Sequence, residues 1–216
     1  MPETYPLDAD GVWCEVFPGC CRSAPALFLD RDGVVVEEVD YLHRVEDMHI
    51  YADAAGVISA ANANAIAVVL VTNQAGIGRG YYGWAEFHAV QQAIQAAIAR
   101  EGAHFDAVYA CPHHRDGKGA FAHPDHPARK PNPGMLQRAA AALDIDMARS
   151  WLVGDHASDI EAAKRAGLAG ALHVLTGHGQ AERAAALALS GPRFDVRVAA
   201  SIADALTLPL FERAQR

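Results

Sequence analysis

Two acids close an apolar run in "LFLDRDGVVV", residues 27–36, where Asp30 and Asp32 flank an arginine and Gly33 follows. Like charges at the end of a buried strand destabilise it unless a cation or a reaction accounts for them. Residues i and i+2 of an extended chain point to the same side, so both carboxylates are expected on one face. Further polar groups close other apolar runs: Thr72 and Asn73 after "AIAVVLV", and Asp155 with Asp159 after "SWLVG". Lys130 stands in "ARKPNPG", just ahead of a helical pattern. Three acids in one place suit a hard divalent cation such as Mg²⁺. A lysine and a threonine hydroxyl suit phosphoryl oxygens. Each feature alone is commonplace: a lone Asp-x-Asp is usually a solvated turn, and Asp159 could simply favour a helix N-terminus. Their recurrence at successive strand ends carries the argument.

The elements that would position them follow from the pattern of apolar residues. Strands are expected at 26–30, 65–72, 105–111, 150–155, 170–176 and 194–198, several of them continuous apolar runs of the kind covered on both faces. Helices are expected over 84–100, where Phe87, Val90, Ile94 and Ile98 share a face, and over 132–145, opened by Pro133. A third is expected over 158–167, with Ser158 and Glu161 at capping-box spacing and Gly167 as its stop. After about residue 180 come an Ala-rich helix, a strand and a short last helix, expected at the sheet edge. The alternation predicts an α/β fold with a doubly wound parallel sheet. Ligands of such folds bind at the carboxyl ends of the strands, where these residues fall. Residues 1–24 show no periodicity and are expected to be an irregular lead-in to a single domain over 25–216.

Bulk composition narrows the function classes. The chain has 216 residues, 51% hydrophobic and 20% charged, and a formal charge of −8. That balance is globular and lacks the basic excess of a nucleic-acid binder, so no nucleic-acid partner is expected. No apolar run of about 18 residues and no signal-peptide core is visible, so no membrane association is expected and a cytoplasmic location is. The four cysteines, Cys14, Cys20, Cys21 and Cys111, are too sparse for a disulfide scaffold. Adjacent Cys20 and Cys21 are read as reduced bystanders rather than a metal or redox pair. The sequence does not fix an oligomeric state.

With these residues in hand, the chain resembles the haloacid dehalogenase superfamily of aspartate-nucleophile phosphatases. "FLDRDGVV", "VVLVTNQ", "RKPNPGM" and "VGDHASD" are similar to its four motifs, in order. "TNQAGIGRGYY" and "CPHH" are similar to the branch of heptose-1,7-bisphosphate and histidinol phosphatases, whose members carry minimal cap loops. The resemblance implies that Asp30 attacks phosphorus and forms an aspartyl-phosphate. It implies that Asp32 serves as acid and base, and that Thr72, the Asn73 backbone and Lys130 stabilise the phosphoryl oxygens. It implies Mg²⁺ held by the Asp30 carboxylate, the Asp32 carbonyl and Asp155, with Asp159 orienting Lys130 or serving the outer shell of the metal.

The substrate expected is a small phosphorylated sugar, a heptose bisphosphate, with Arg79 and Arg129 as grips for a second phosphate and His43 facing the substrate. The alternatives are histidinol phosphate and, in another class, a receiver-like domain that stores a phospho-aspartate. Related enzymes often carry a zinc loop of the form Cys-x-His followed by Cys-x-Cys. Here Cys111-Pro112-His113 keeps the first half, while His126-Pro127-Ala128 replaces the second. Three readings remain open: a Cys-His₃ zinc site of Cys111, His113, His123 and His126, a loop held by packing without metal, or histidines, His114 included, that face the substrate.

Overall fold

The computed structural model describes residues 4–212; residues 1–3 of the lead-in and 213–216 of the tail lie outside the described residues. Its strands are β1 (Trp13–Val16), β2 (Ala26–Leu29), β3 (Ala67–Asn73), β4 (Ala107–Cys111), β5 (Trp151–Gly154), β6 (Gly170–Val174) and β7 (Asp195–Ala199). The helices are α1 (Ala54–Ala63), α2 (Ala75–Arg79), α3 (Trp84–Arg100), α4 (Gly134–Leu143), α5 (Ala157–Ala166), α6 (Gly179–Leu187) and α7 (Pro209–Glu212). The seven strands form one sheet in the order β1-β4-β3-β2-β5-β6-β7. All neighbours are parallel except β1, which runs antiparallel to β4 with Trp13 opposite Ala110.

The near-continuous apolar strands have the physical reason anticipated from sequence. On one face Leu27, Leu29, Val68 and Leu70 pack with Ile58 of α1 and with Phe87, Val90, Ile94 and Ile98 of α3. On the other face Phe28, Val69, Val71 and Tyr109 pack with Leu136 of α4 and Ile160 of α5. Alternate residues of the inner strands β2 to β6 are thus buried on opposite faces, which removes the polar side that a half-solvated sheet would show. Among the described residues no helix is long and apolar enough to cross a membrane.

Three local readings are corrected. The lead-in is not wholly irregular: Leu7 pairs with Trp13 in a hairpin, and β1 extends the sheet edge. Its four residues are too few for periodicity to reveal them. Helix α5 begins at Ala157 after His156, not at Ser158, and the side chain that accepts the His156 N–H, at 3.0 Å, is Asp159 rather than Glu161. Finally, β2 stops at Leu29, so Asp30 and Asp32 do not continue an extended strand. The chain turns at Gly33, whose φ is +76°.

Candidate active site

The strand ends converge on a cleft of about 290 Å³ lined by Asp30, Asp32, Thr72, Asn73, Arg129, Lys130, Asp155 and Asp159, among others. At its floor, Lys130 Nζ lies 2.9 Å from Asp30 Oδ1 and 2.8 Å from Asp159 Oδ1, and donates to the Val71 carbonyl at 2.9 Å. Lys130 and Asp159 are 3% and 1% exposed, so this is a desolvated ion triad. Burial pulls the Lys130 pKa down, but the charges of Asp159 and Asp30 outweigh it and hold the ammonium above its usual range. Asp159 uses its other oxygen to cap α5, so one carboxylate ties the helix start to the lysine.

Asp155 is fixed by its surroundings. Its Oδ2 accepts the His178 N–H at 2.8 Å, and a Cβ at Gly33 or Gly177 would come within 2.3 or 2.2 Å of that oxygen. Both glycines also have positive φ, so only a residue without a side chain fits. Burial first, then the neighbouring acids, pushes the Asp30 carboxyl well above its ordinary value, although Lys130 opposes the shift. Asp155 is raised by burial and by Asp159. Asp30, Asp155 and Asp159 each present an atom within 4.8 Å of the others. Three acids against one lysine in a buried pocket form an electrostatic deficit that a hard divalent cation fits.

Asp32 has different partners. Arg31 grips its carboxylate through Nε, at 3.1 Å to both oxygens, and Nη2 at 2.9 Å. Gln74 Nε2 donates to it at 3.2 Å and to Thr72 Oγ1 at 2.8 Å. Arg31 is itself 1% exposed and lies over the Phe87 ring, so the arginine between the two acids is part of the site's framework. Asn73 commits its side chain to the Lys130 backbone, accepting from its N–H at 3.1 Å and donating to its carbonyl at 3.0 Å. This pair joins the end of β3 to the lysine loop and leaves the Asn73 backbone at the cleft.

The substrate-binding expectations are met unevenly. Arg129 lines the cleft and donates to the His113 carbonyl at 3.0 Å. Arg79 does not line it: its guanidinium is bound by the Tyr41 hydroxyl, by His114 at 3.2 Å and by Asp116 at 3.3 Å. His43 also lies off the cleft, stacked on Tyr82 and bonded to the Tyr41 carbonyl. The sequence reading missed Arg31, Gln74, Glu38, His156 and His178, which do line it. Arg31 and Gln74 were visible inside "DRDG" and "TNQ"; Glu38 and His178 carried no local signal.

The Cys-His₃ arrangement is not formed. His113 and His126 stack face to face, with centroids 3.6 Å apart and planes 4° apart, so their nitrogens do not converge. His113 Nε2 donates to the Asp10 carbonyl, and His126 Nδ1 accepts the Ala128 N–H. Among the described residues the acid trio is the one group with atoms at metal-ligand spacing.

Glu38 offers a test of the cleft's electrostatics. Burial, then Asp32 and Asp155, push its carboxyl up to about 8, with Arg31 opposing. A raised carboxyl stabilises the fold below its unfolded value near 4.5, and this contribution is lost as pH rises toward 8. Glu38→Gln is therefore expected to gain roughly 2 kcal/mol over the wild type between pH 5 and pH 9, discounted for partial exposure. Urea unfolding of metal-free protein at both pH values measures it. Parallel pH dependences in the two proteins would contradict the assignment.

Known proteins are similar in the same region. The HAD-hydrolase-like family model matches residues 127–205. A Mesorhizobium japonicum D-glycero-beta-D-manno-heptose-1,7-bisphosphate 7-phosphatase is 46% identical over 170 residues, spanning 76% of this chain and 77% of its own. A solved Mesorhizobium loti structure matches with a TM-score of 0.86 at 38% identity over 99% of both chains. The D,D-heptose 1,7-bisphosphate phosphatase of B. bronchiseptica, solved with magnesium and phosphate, matches at 0.74 and 31% identity, covering 87% of this chain and 99% of its own. The chain is a phosphatase of the haloacid dehalogenase superfamily, in the branch that holds the heptose-1,7-bisphosphate phosphatases.

Proposed function

We propose that the protein is a Mg²⁺-dependent hydrolase of D-glycero-D-manno-heptose 1,7-bisphosphate that works through an aspartyl-phosphate. The observation that supports this most is the buried Asp30–Lys130–Asp159 triad beside Asp155, with Arg129 at the rim. The names of the relatives supply the sugar. An Asp30 oxygen attacks phosphorus and the bond to the sugar oxygen breaks, with Asp32 delivering a proton to the leaving alkoxide. Water then attacks the same phosphorus, Asp32 takes its proton, and phosphate leaves Asp30 free. Lys130, Thr72 and the Asn73 N–H balance the charge on the phosphoryl oxygens. Mg²⁺, held by Asp30, Asp155 and the Asp32 carbonyl, would neutralise the acids and polarise the phosphoryl group. Arg129 takes the second phosphate by its guanidinium fork.

The test is phosphate release from the heptose bisphosphate and from histidinol phosphate, side by side with Mg²⁺. We expect kcat/KM to favour the bisphosphate roughly 100-fold, the scale of one well-used charged contact. Preference for histidinol phosphate would keep the chemistry and overturn the substrate.

A further inference from the structure

We propose that the N-terminal hairpin, acting through His113, is a positioning element for Arg129 and so sets affinity for the second phosphate of the substrate. The inference rests on the substrate reading above. The hairpin closes where Asp8 accepts the Val12 N–H through its side chain at 3.0 Å, and β1 then pairs with β4 up to Ala110, one residue before β4 ends at Cys111 and the loop carrying His113 begins. His113 donates from Nε2 to the Asp10 carbonyl at 2.8 Å and is 4% exposed. The carbonyl of the same His113 accepts from Arg129 Nη1 at 3.0 Å. One residue thus links the hairpin to the guanidinium at the cleft.

Two further contacts clamp the relay. The His113 ring stacks on His126, whose carbonyl accepts the Arg129 N–H at 2.9 Å. Beyond the lysine loop, Arg138 of α4 pairs with Asp8 at 3.0 Å and Asp10 at 2.8 Å, so the hairpin grips both sides of the segment that carries Arg129 and Lys130. Lys130 is separately secured by Asp30, Asp159 and Asn73. Loosening the hairpin therefore frees Arg129 selectively and leaves the chemical centre in place. A guanidinium that must be ordered at the moment of binding loses affinity to the entropy of that ordering, whereas one already held does not.

The experiment uses the full-length protein and three variants: His113→Phe, which keeps a stacked ring and removes the N–H donor, Arg129→Ala, and the pair combined. Kinetics are measured on the bisphosphate and on p-nitrophenyl phosphate, which has no second phosphate. His113→Phe is expected to raise KM for the bisphosphate roughly fivefold, the order of one lost hydrogen bond, with kcat and p-nitrophenyl phosphate turnover within about twofold of the wild type. In the Arg129→Ala background it should raise KM no further, because coupled residues are not additive. Should His113→Phe fail to fold, Asp8→Asn/Asp10→Asn, changes at a half-buried and an exposed position that weaken the hold on Arg138, should raise KM in the same direction by about twofold. An unchanged KM, an equal loss on p-nitrophenyl phosphate, or additive effects with Arg129→Ala would overturn the inference alone. A wild type without preference for the bisphosphate would overturn the substrate reading and the inference with it.

Discussion

Asp30→Asn is expected to abolish turnover, lowering kcat by at least ~10⁴-fold, the scale on which loss of a nucleophile acts. The amide keeps the shape of the side chain while losing the charge and the nucleophilic oxygen. Collapse of the fold is not expected to explain the loss. Burial and three neighbouring acids already disfavour the Asp30 charge, so a neutral isostere relieves repulsion, and Lys130 keeps Asp159 as partner. The raised carboxyl contributes stability at low pH that fades as pH rises. The metal-free variant should accordingly gain thermal stability relative to the wild type as pH rises from 5 to 8. Phosphate release and thermal unfolding measured together decide the matter. Activity above about 1% of wild type would exclude Asp30 as the nucleophile.

Lys130→Met is expected to damage both stability and chemistry. Methionine fills the volume but leaves Asp30 and Asp159 facing each other across a buried site without a counter-ion. Breaking a buried pair in this way typically costs about 3–5 kcal/mol. The raised lysine pKa means that its stabilising charge is fully present at neutral pH and is lost only in strong alkali. In the variant the deficit should shrink as pH falls, because burial and the neighbouring acids already favour the neutral form of Asp30, and Mg²⁺ should recover part of it. Loss of the phosphoryl contact should lower kcat/KM by roughly 10³-fold. Denaturant unfolding at pH 5 and 7, with and without Mg²⁺, measures the first effect. A variant as stable as the wild type at pH 7 without metal would refute the account of the triad.

Asp30, Lys130, Asp155 and Asp159 were legible because each occupies a strand end or loop that its own neighbours announce. Apolar runs reveal strands buried on both faces, and a parallel sheet brings the strand ends to one rim. The path of Arg79 was not legible: Tyr41 and Asp116 lie 38 and 37 residues away in the chain, and their contacts leave no trace beside Arg79 itself. Nor was the work of residues 8–13. A two-stranded hairpin this short shows no periodicity, and it is defined by partners on β4, the loop after it and α4.

The sequence by itself determined the fold class and the inventory of reacting groups, because strand burial and strand-end chemistry are written in consecutive residues. Only the tertiary structure decided how those groups are divided. Lys130 joins Asp30 to Asp159, Arg31 and Gln74 hold Asp32 apart from them, Arg129 reaches the cleft and Arg79 does not. The reason is physical: which carboxylate a buried cation satisfies depends on distances of about 3 Å between segments remote in the chain, and those distances are set by packing rather than by spacing.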